Sequence, residues 1–294
     1  MGILSGLENF GLGKFKTDDI FNDGEVNVSE KAIEEQPVPK EFVTLSEADI
    51  LFEKKYTCPV CDSEVKAKTV RAGKSKLVGS DTDLRPKYAL GDPLKYDVVV
   101  CPKCGFGALA RNFGYLTSGQ IKLIRESISK EFKGLPESGD IYTYDEAIGR
   151  AKLALVSALV SRQRTSERAY LCLKIAWLIR GAIEEMERSS NPETKKIKEY
   201  KKEEDEYIIK AYEGFVSAFS TERFPMCGMD EMTTNYLVAE LARKCGKKRE
   251  AMQLVGKIIL SHSASKRIKD KARELKELIE LLPNDGSEDV NATE

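Results

Sequence analysis

Histidine and tryptophan are almost missing from this chain, with one of each among 294 residues. The lone histidine, His262, reads as a surface or helix-end residue, and no Ser/His/Asp or Cys/His constellation can be assembled around it. Long apolar runs are missing too: nothing approaches the roughly 18 consecutive apolar residues that cross a bilayer. The opening Met1-Gly-Ile-Leu-Ser-Gly has neither the basic start nor the apolar run of a signal peptide, and Gly6 stands where a myristoylation motif needs Ser or Thr. The expectation is a cytoplasmic protein without a membrane partner. With 41% apolar and 32% charged residues, a wholly disordered chain is excluded and two domains fit the length.

Net charge is only -1, but it is unevenly spread. Residues 1–53 hold 4 basic and 12 acidic side chains, residues 54–111 hold 12 and 6, and the remainder is nearly balanced at 31 and 30. The acidic start, ending in Gln36-Pro37-Val38-Pro39, reads as a disordered arm over 1–50 that can mask the basic segment beside it.

Seven cysteines are present, and four form two matching pairs: Cys58-Pro-Val-Cys61 and Cys101-Pro-Lys-Cys104. Two C-x-x-C units closing on one ion give a tetrahedral thiolate site with no open position, the pattern of a structural zinc. Rubredoxin-like iron and a redox dithiol are the alternatives. The 39 residues between Cys61 and Cys101 exceed the usual spacing, so they form a folded excursion from a zinc ribbon over 51–115. Cys172, Cys227 and Cys245 are isolated and read as small core residues.

Strand patterns lead into each pair at Lys54–Thr57 and Tyr96–Val100, with a third strand over Glu64–Arg71. Gly79-Ser-Asp-Thr-Asp-Leu-Arg-Pro86 and Leu90-Gly-Asp-Pro93 have turn chemistry. From residue 116 to 282 the period becomes helical. Capping boxes at Thr117–Gln120 and Thr143–Glu146 open helices, and Asn191-Pro192 reads as another N-cap and first turn. Ala211, Phe215 and Ala218, and Ala251, Val255 and Ile258, have the spacing of second helices in tetratricopeptide repeats; Cys172, Ile175, Ala176 and Ile179 suit a first helix. About 23 extra residues lengthen the helices between Ala176 and Ala211. The fold class is α+β and multidomain, a small β-rich zinc ribbon followed by an all-α helical-repeat array, with a disordered tail over 283–294.

Three sets of residues are candidates for function. First-helix positions Tyr170, Leu173, Trp177, Arg180, Tyr236, Glu240, Arg243 and Lys244 would face a concave surface that binds a protein or peptide. Lys66, Lys68, Arg71, Lys74 and Lys76, with no acid among residues 66–76, make a basic insert for anions or nucleic acid, joined by Arg85 and by the rings of Tyr88, Tyr96 and Phe106. Asp81, Asp83 and Arg85 suit a cation or anion site, or an enzyme, against the plainer reading of turn residues bonding their own backbone. Arg71-Ala-Gly-Lys-Ser75 is not a P-loop, because lysine occupies position 68 where the motif needs glycine.

The cysteine pairs, the string Val70-Arg-Ala-Gly-Lys-Ser-Lys-Leu-Val-Gly-Ser-Asp-Thr-Asp-Leu-Arg-Pro86 and the run Asp92–Gly105 resemble a bacterial family, domain of unknown function 2225. The resemblance runs from about Lys55 to Leu282. It implies a cytoplasmic bacterial protein with a zinc-ribbon region and tetratricopeptide-like helices, and it implies no activity. The leading expectation is a non-enzymatic adaptor, with nucleic-acid binding through the insert and an enzyme at Asp81, Asp83 and Arg85 as alternatives.

Overall fold

A C-x-x-C sequence reverses the chain within four residues, and here each one closes an antiparallel hairpin. In the computed structural model, which describes residues 45–283, β1 (Leu51–Thr57) pairs with β2 (Glu64–Val70), Leu51 opposite Val70 and Thr57 opposite Glu64. The second pair of cysteines joins β5 (Val98–Val100) to β6 (Gly107–Leu109). The excursion between them is a third hairpin, β3 (Leu77–Ser80) with β4 (Pro86–Tyr88), followed by a turn of 3-10 helix at Pro93–Tyr96. That turn displaces the expected strand start at Tyr96, since Asp92 caps it through the Leu94 N–H and carries the helical turn past Tyr96. The turn chemistry expected over 79–86 narrows to 81–85, where the Asp81 N–H bonds the Arg85 carbonyl and Leu84 takes a positive φ of 68°.

The helices follow as α1 (Ser118–Ile124), α2 (Tyr144–Val160), α3 (Thr165–Arg188), α4 (Thr194–Thr221), α5 (Glu231–Lys244), α6 (Lys248–Leu260) and α7 (Lys266–Glu280). Both capping boxes are formed, each with the threonine side chain accepting from the third backbone N–H and the Gln or Glu reaching back. α1 runs on as a π turn over Arg125–Ser129, and residues 130–143 and 222–230 are non-helical, so the helical region is less continuous than expected. α4 begins two residues later than Asn191-Pro192 implies: the Pro192 carbonyl takes the Thr194 N–H, and Glu193 is the N-cap. The lengthening appears in α3 and α4, at 24 and 28 residues against 14 and 13 in α5 and α6.

α3 is the centre of the helical region. It is buried on all sides from Leu171 to Ile179, packing against α2 and α4, and its Cys172, Ile175, Ala176 and Ile179 are all buried. Ala211, Phe215 and Ala218 of α4, and Ala251, Val255 and Ile258 of α6, are all fully buried. The β5–β6 hairpin alternates between two cores. Val98, Val100 and Leu109 join the helices, whereas Val99 and Ala108 join the cysteines, Phe106, Phe113, Ile124 and Ile128. Small residues on α2, namely Ala147, Ala151, Ala154 and Ala158, allow β6 to lie directly on the helix backbone, and the Gly107 N–H donates to Ser157 Oγ at 3.1 Å.

Most of the expected acidic arm and all but the first residue of the expected tail, along with the proposed masking by that arm, lie outside the described residues. Residues 45–50 lie inside, with Ile50 buried and Glu47 paired to Lys95. Among the described residues, no helix is long and apolar enough to cross a membrane.

Candidate functional site

The four paired cysteines meet between the two hairpin tips, their sulfurs all within 4.8 Å of one another. Cys58 and Cys104 stand 3.6 Å apart, as do Cys61 and Cys101. Thiolates at about 2.3 Å from a central zinc would be about 3.8 Å apart, so the set matches a tetrahedral ion. Its two halves are built alike. The Cys58 N–H bonds the Ser63 carbonyl and the Asp62 N–H returns to the Cys58 carbonyl; the Cys101 N–H bonds the Phe106 carbonyl and the Gly105 N–H returns to that of Cys101. Asp62 and Gly105 occupy the same left-handed position, at φ 58° and 74°. A Cβ at Gly105 would lie 2.6 Å from the Phe132 ring, so the turn there also requires a missing side chain.

Around this centre, Ser63 Oγ lies 3.0 Å from Cys61 Sγ and 3.4 Å from Cys101 Sγ, placing one hydroxyl donor between two thiolates. Arg125 Nε donates to the Val60 carbonyl at 2.7 Å and ties the helix after α1 to the first turn. No disulfide forms, three of the four cysteines are buried and Cys61 is partly so. Four thiolates leave no coordination position for water or substrate, so the arrangement can hold a metal ion and cross-link the hairpins, and it offers no catalytic site. Cys172 and Cys227 are buried and Cys245 is partly buried, far in sequence from this cluster.

The insert does not stand free. Its tip, residues 81–85, lies against α3 and α5, and its charged side chains are consumed there. Asp83, fully buried, accepts from Arg180 Nη1 at 3.2 Å and Nη2 at 2.7 Å and from Lys244 Nζ at 3.0 Å. Arg85 makes a two-point contact with Glu184 at 2.9 and 3.0 Å, and Thr82 donates to the buried Glu240 at 2.6 Å. Arg180 also meets Asp81 at 3.1 Å and Glu204 at 2.7 Å, and Arg243 holds Glu240 at 2.7 and 2.8 Å. Burial by itself would raise the Asp83 carboxyl, but Arg180 and Lys244 outweigh it and hold the group down at about 2.

A family model described as an uncharacterized protein conserved in bacteria (DUF2225) matches residues 51–279. The chain belongs to that family. No curated protein and no solved structure matches it. The matched DUF2225 region contains both cysteine pairs, the whole insert and the helices on which the insert rests.

For the expected recognition face of this DUF2225 protein, the structure requires a correction. Trp177 and Tyr236 are buried, Tyr170, Arg180, Arg243 and Lys244 are partly buried, and the face they form is occupied by the chain's own insert. Asp81, Asp83 and Arg85 do converge, but on α3 and α5, where every charge meets an opposite one; Asp83 also takes the Arg85 N–H at 3.4 Å, a remnant of the turn reading. The carboxylates that complete this network, Glu184, Glu204 and Glu240, were not identified as its partners from sequence. Glu240 carries the clearest signal, an acid set inside the apolar run from Leu237 to Ala242.

The basic set is likewise divided. Arg85 is buried, Lys68 donates to the Gly139 carbonyl and lies 4.7 Å over the Tyr142 ring, and Lys66 stands across from Lys55 within 4.0 Å of Glu53. Phe106 and Tyr96 are buried and cannot stack with bases. Arg71, Lys74 and Lys76 remain exposed, Arg71 lying 5.5 Å from the Phe52 ring centre. Beside the insert, Asp92, Tyr144, Lys95 and Glu47 line a cleft of about 620 Å³. Tyr144 donates to Asp92 at 2.9 Å, and burial raises the Asp92 carboxyl above its ordinary value. His262 is exposed just beyond α6.

Proposed function

We propose that this protein is a non-catalytic cytoplasmic adaptor, a zinc-stapled β module fused to a tetratricopeptide-like array, that binds an extended segment of a partner protein. The observation that carries the reading is the free edge of β3. That strand is paired only with β4, and Leu77 and Val78 on it are 55% and 62% exposed. An open strand edge with apolar side chains is a template for an added strand. Lys74 and Lys76 precede it and have no ion-pair partner among the described residues, which favours an acidic segment. The helices then serve as the platform that holds the insert. The closed thiolate set supports zinc as a structural ion, and a colourless metal-loaded protein separates zinc from iron.

Nucleic-acid binding is the second reading, favoured by the same unpaired cations, Arg71, Lys74 and Lys76. One experiment separates the two. A photo-crosslinking residue at Val78 should capture a protein through an acidic, extended peptide in living cells, while the same residue at Leu260, 80% exposed, should not. Capture of RNA or DNA, lost steeply as salt rises, supports the second reading instead. Equal capture at both positions, or none at Val78, refutes both.

A further inference from the structure

Where the insert crosses α3 it leaves a cavity of about 270 Å³. Leu84 and Tyr88 wall it from the insert, and Tyr170 and Trp177 from α3. The two α3 rings meet edge to face at 6.2 Å. Set into this apolar wall is Lys174, only 9% exposed, with its ammonium 5.1 Å from the Tyr170 ring centre and 5.6 Å from that of Trp177. It donates to Asp97, the one carboxylate in the lining, whose side chain is still 39% exposed.

Donors outnumber acceptors here. A lysine ammonium has three N–H groups and no acceptor, and Asp97 is its only ion-pair partner. The hydroxyls of Tyr88 and Tyr170 have no hydrogen-bond partner among the described residues, and the buried Trp177 indole N–H has no acceptor. Lys174 is thus a buried cation that Asp97 keeps charged in aromatic surroundings, with two of its three N–H groups still free to meet a further acceptor. Aromatic walls with a few convergent polar groups are the composition of small-molecule sites.

We infer that this cavity binds a small aromatic monocarboxylate, with its carboxylate at Lys174 and Tyr88 and its ring against Leu84, Tyr170 and Trp177. The site is separate from the β3 edge and does not depend on the adaptor reading. Trp177 is the only tryptophan, so fluorescence excited at the red edge, where the 11 tyrosines do not absorb, reports on this cavity alone. Titration of the full chain with phenylacetate should give a saturable fluorescence change, about tenfold or more weaker with phenylacetamide, which keeps the ring but loses the charge, and absent with phenethylamine. Lys174→Gln should abolish the response. Because that variant can fail to fold, Leu84→Phe serves beside it, filling the cavity while leaving every charge in place. If neither variant folds, the ligand series alone decides. No saturable response to phenylacetate, an equal response to all three probes, or wild-type affinity in either folded variant overturns the assignment.

Discussion

Replacing Asp83 by alanine tests whether buried charge holds the insert on the helices. In the fold the carboxyl is held at about 2 against 3.8 for a free aspartate, a preference for the charged form of roughly 2 kcal/mol. Removal also strands its partners unequally. Arg180 keeps Asp81 and Glu204, while Lys244 has Asp83 as its only ion-pair partner and a side chain 23% exposed. Breaking a buried pair by removing one member costs about 3–5 kcal/mol, and retention of the other two contacts places Asp83→Ala near about 3. Urea unfolding followed through Trp177 fluorescence measures this directly. The sign with pH follows from the depressed value. The contribution is complete above about pH 5, where even an unfolded aspartate is ionised, and fades as pH falls through about 2. The gap between wild type and variant should therefore shrink from pH 7 to pH 3. Acid release of metal affects both proteins alike and cancels in the difference. Adding Lys244→Ala to Asp83→Ala should recover part of the loss, because no stranded ammonium remains. A loss below about 1 kcal/mol at pH 7, or a gap that does not change between pH 7 and pH 3, would refute the reasoning.

Two further outcomes follow from the packing. One zinc per chain should be found by metal analysis and lost in Cys101→Ser; chelation should expose residues 51–113 to protease while far-ultraviolet dichroism keeps its helical signal, since the helices have their own core. Complete loss of helicity on chelation would show that the two cores are not separable. Gly107→Ala places a Cβ 3.0 Å from the Ala154 backbone nitrogen, which cannot yield as a side chain would, and should cost about 1–3 kcal/mol in urea unfolding. Gly114→Ala, where nothing lies within 4 Å, should stay within about 0.5 kcal/mol of wild type and is the control for helix-independent effects of the added methyl.

The metal ligands were legible because their chemistry is local. A C-x-x-C turn carries its own hydrogen bonds, so Cys58–Cys61 and Cys101–Cys104 announce the same structure wherever they occur. The capping boxes at Thr117 and Thr143 were legible for the same reason: donor and acceptor are three residues apart. The Asn191-Pro192 start was misplaced because a cap is a competition among neighbouring carbonyls, and Pro192 is used as an acceptor there. The first-helix residues were chosen by their helical spacing, and periodicity reports which side chains point together and not what fills the space before them.

By itself, the sequence determined the four-cysteine clasp, the hairpins it closes and the succession of helices, all of them properties of residues close together in the chain. Only the tertiary structure decided what the clasped insert does. Asp83 finds Arg180 and Lys244 at separations of 97 and 161 residues, and Arg85 finds Glu184 at 99. Such pairs form because desolvated charges must be matched, and that requirement acts through distance in space, which no local pattern records. The face read as open for a partner is closed by the chain itself, leaving the β3 edge and the Lys174 cavity as the surfaces where binding should be sought.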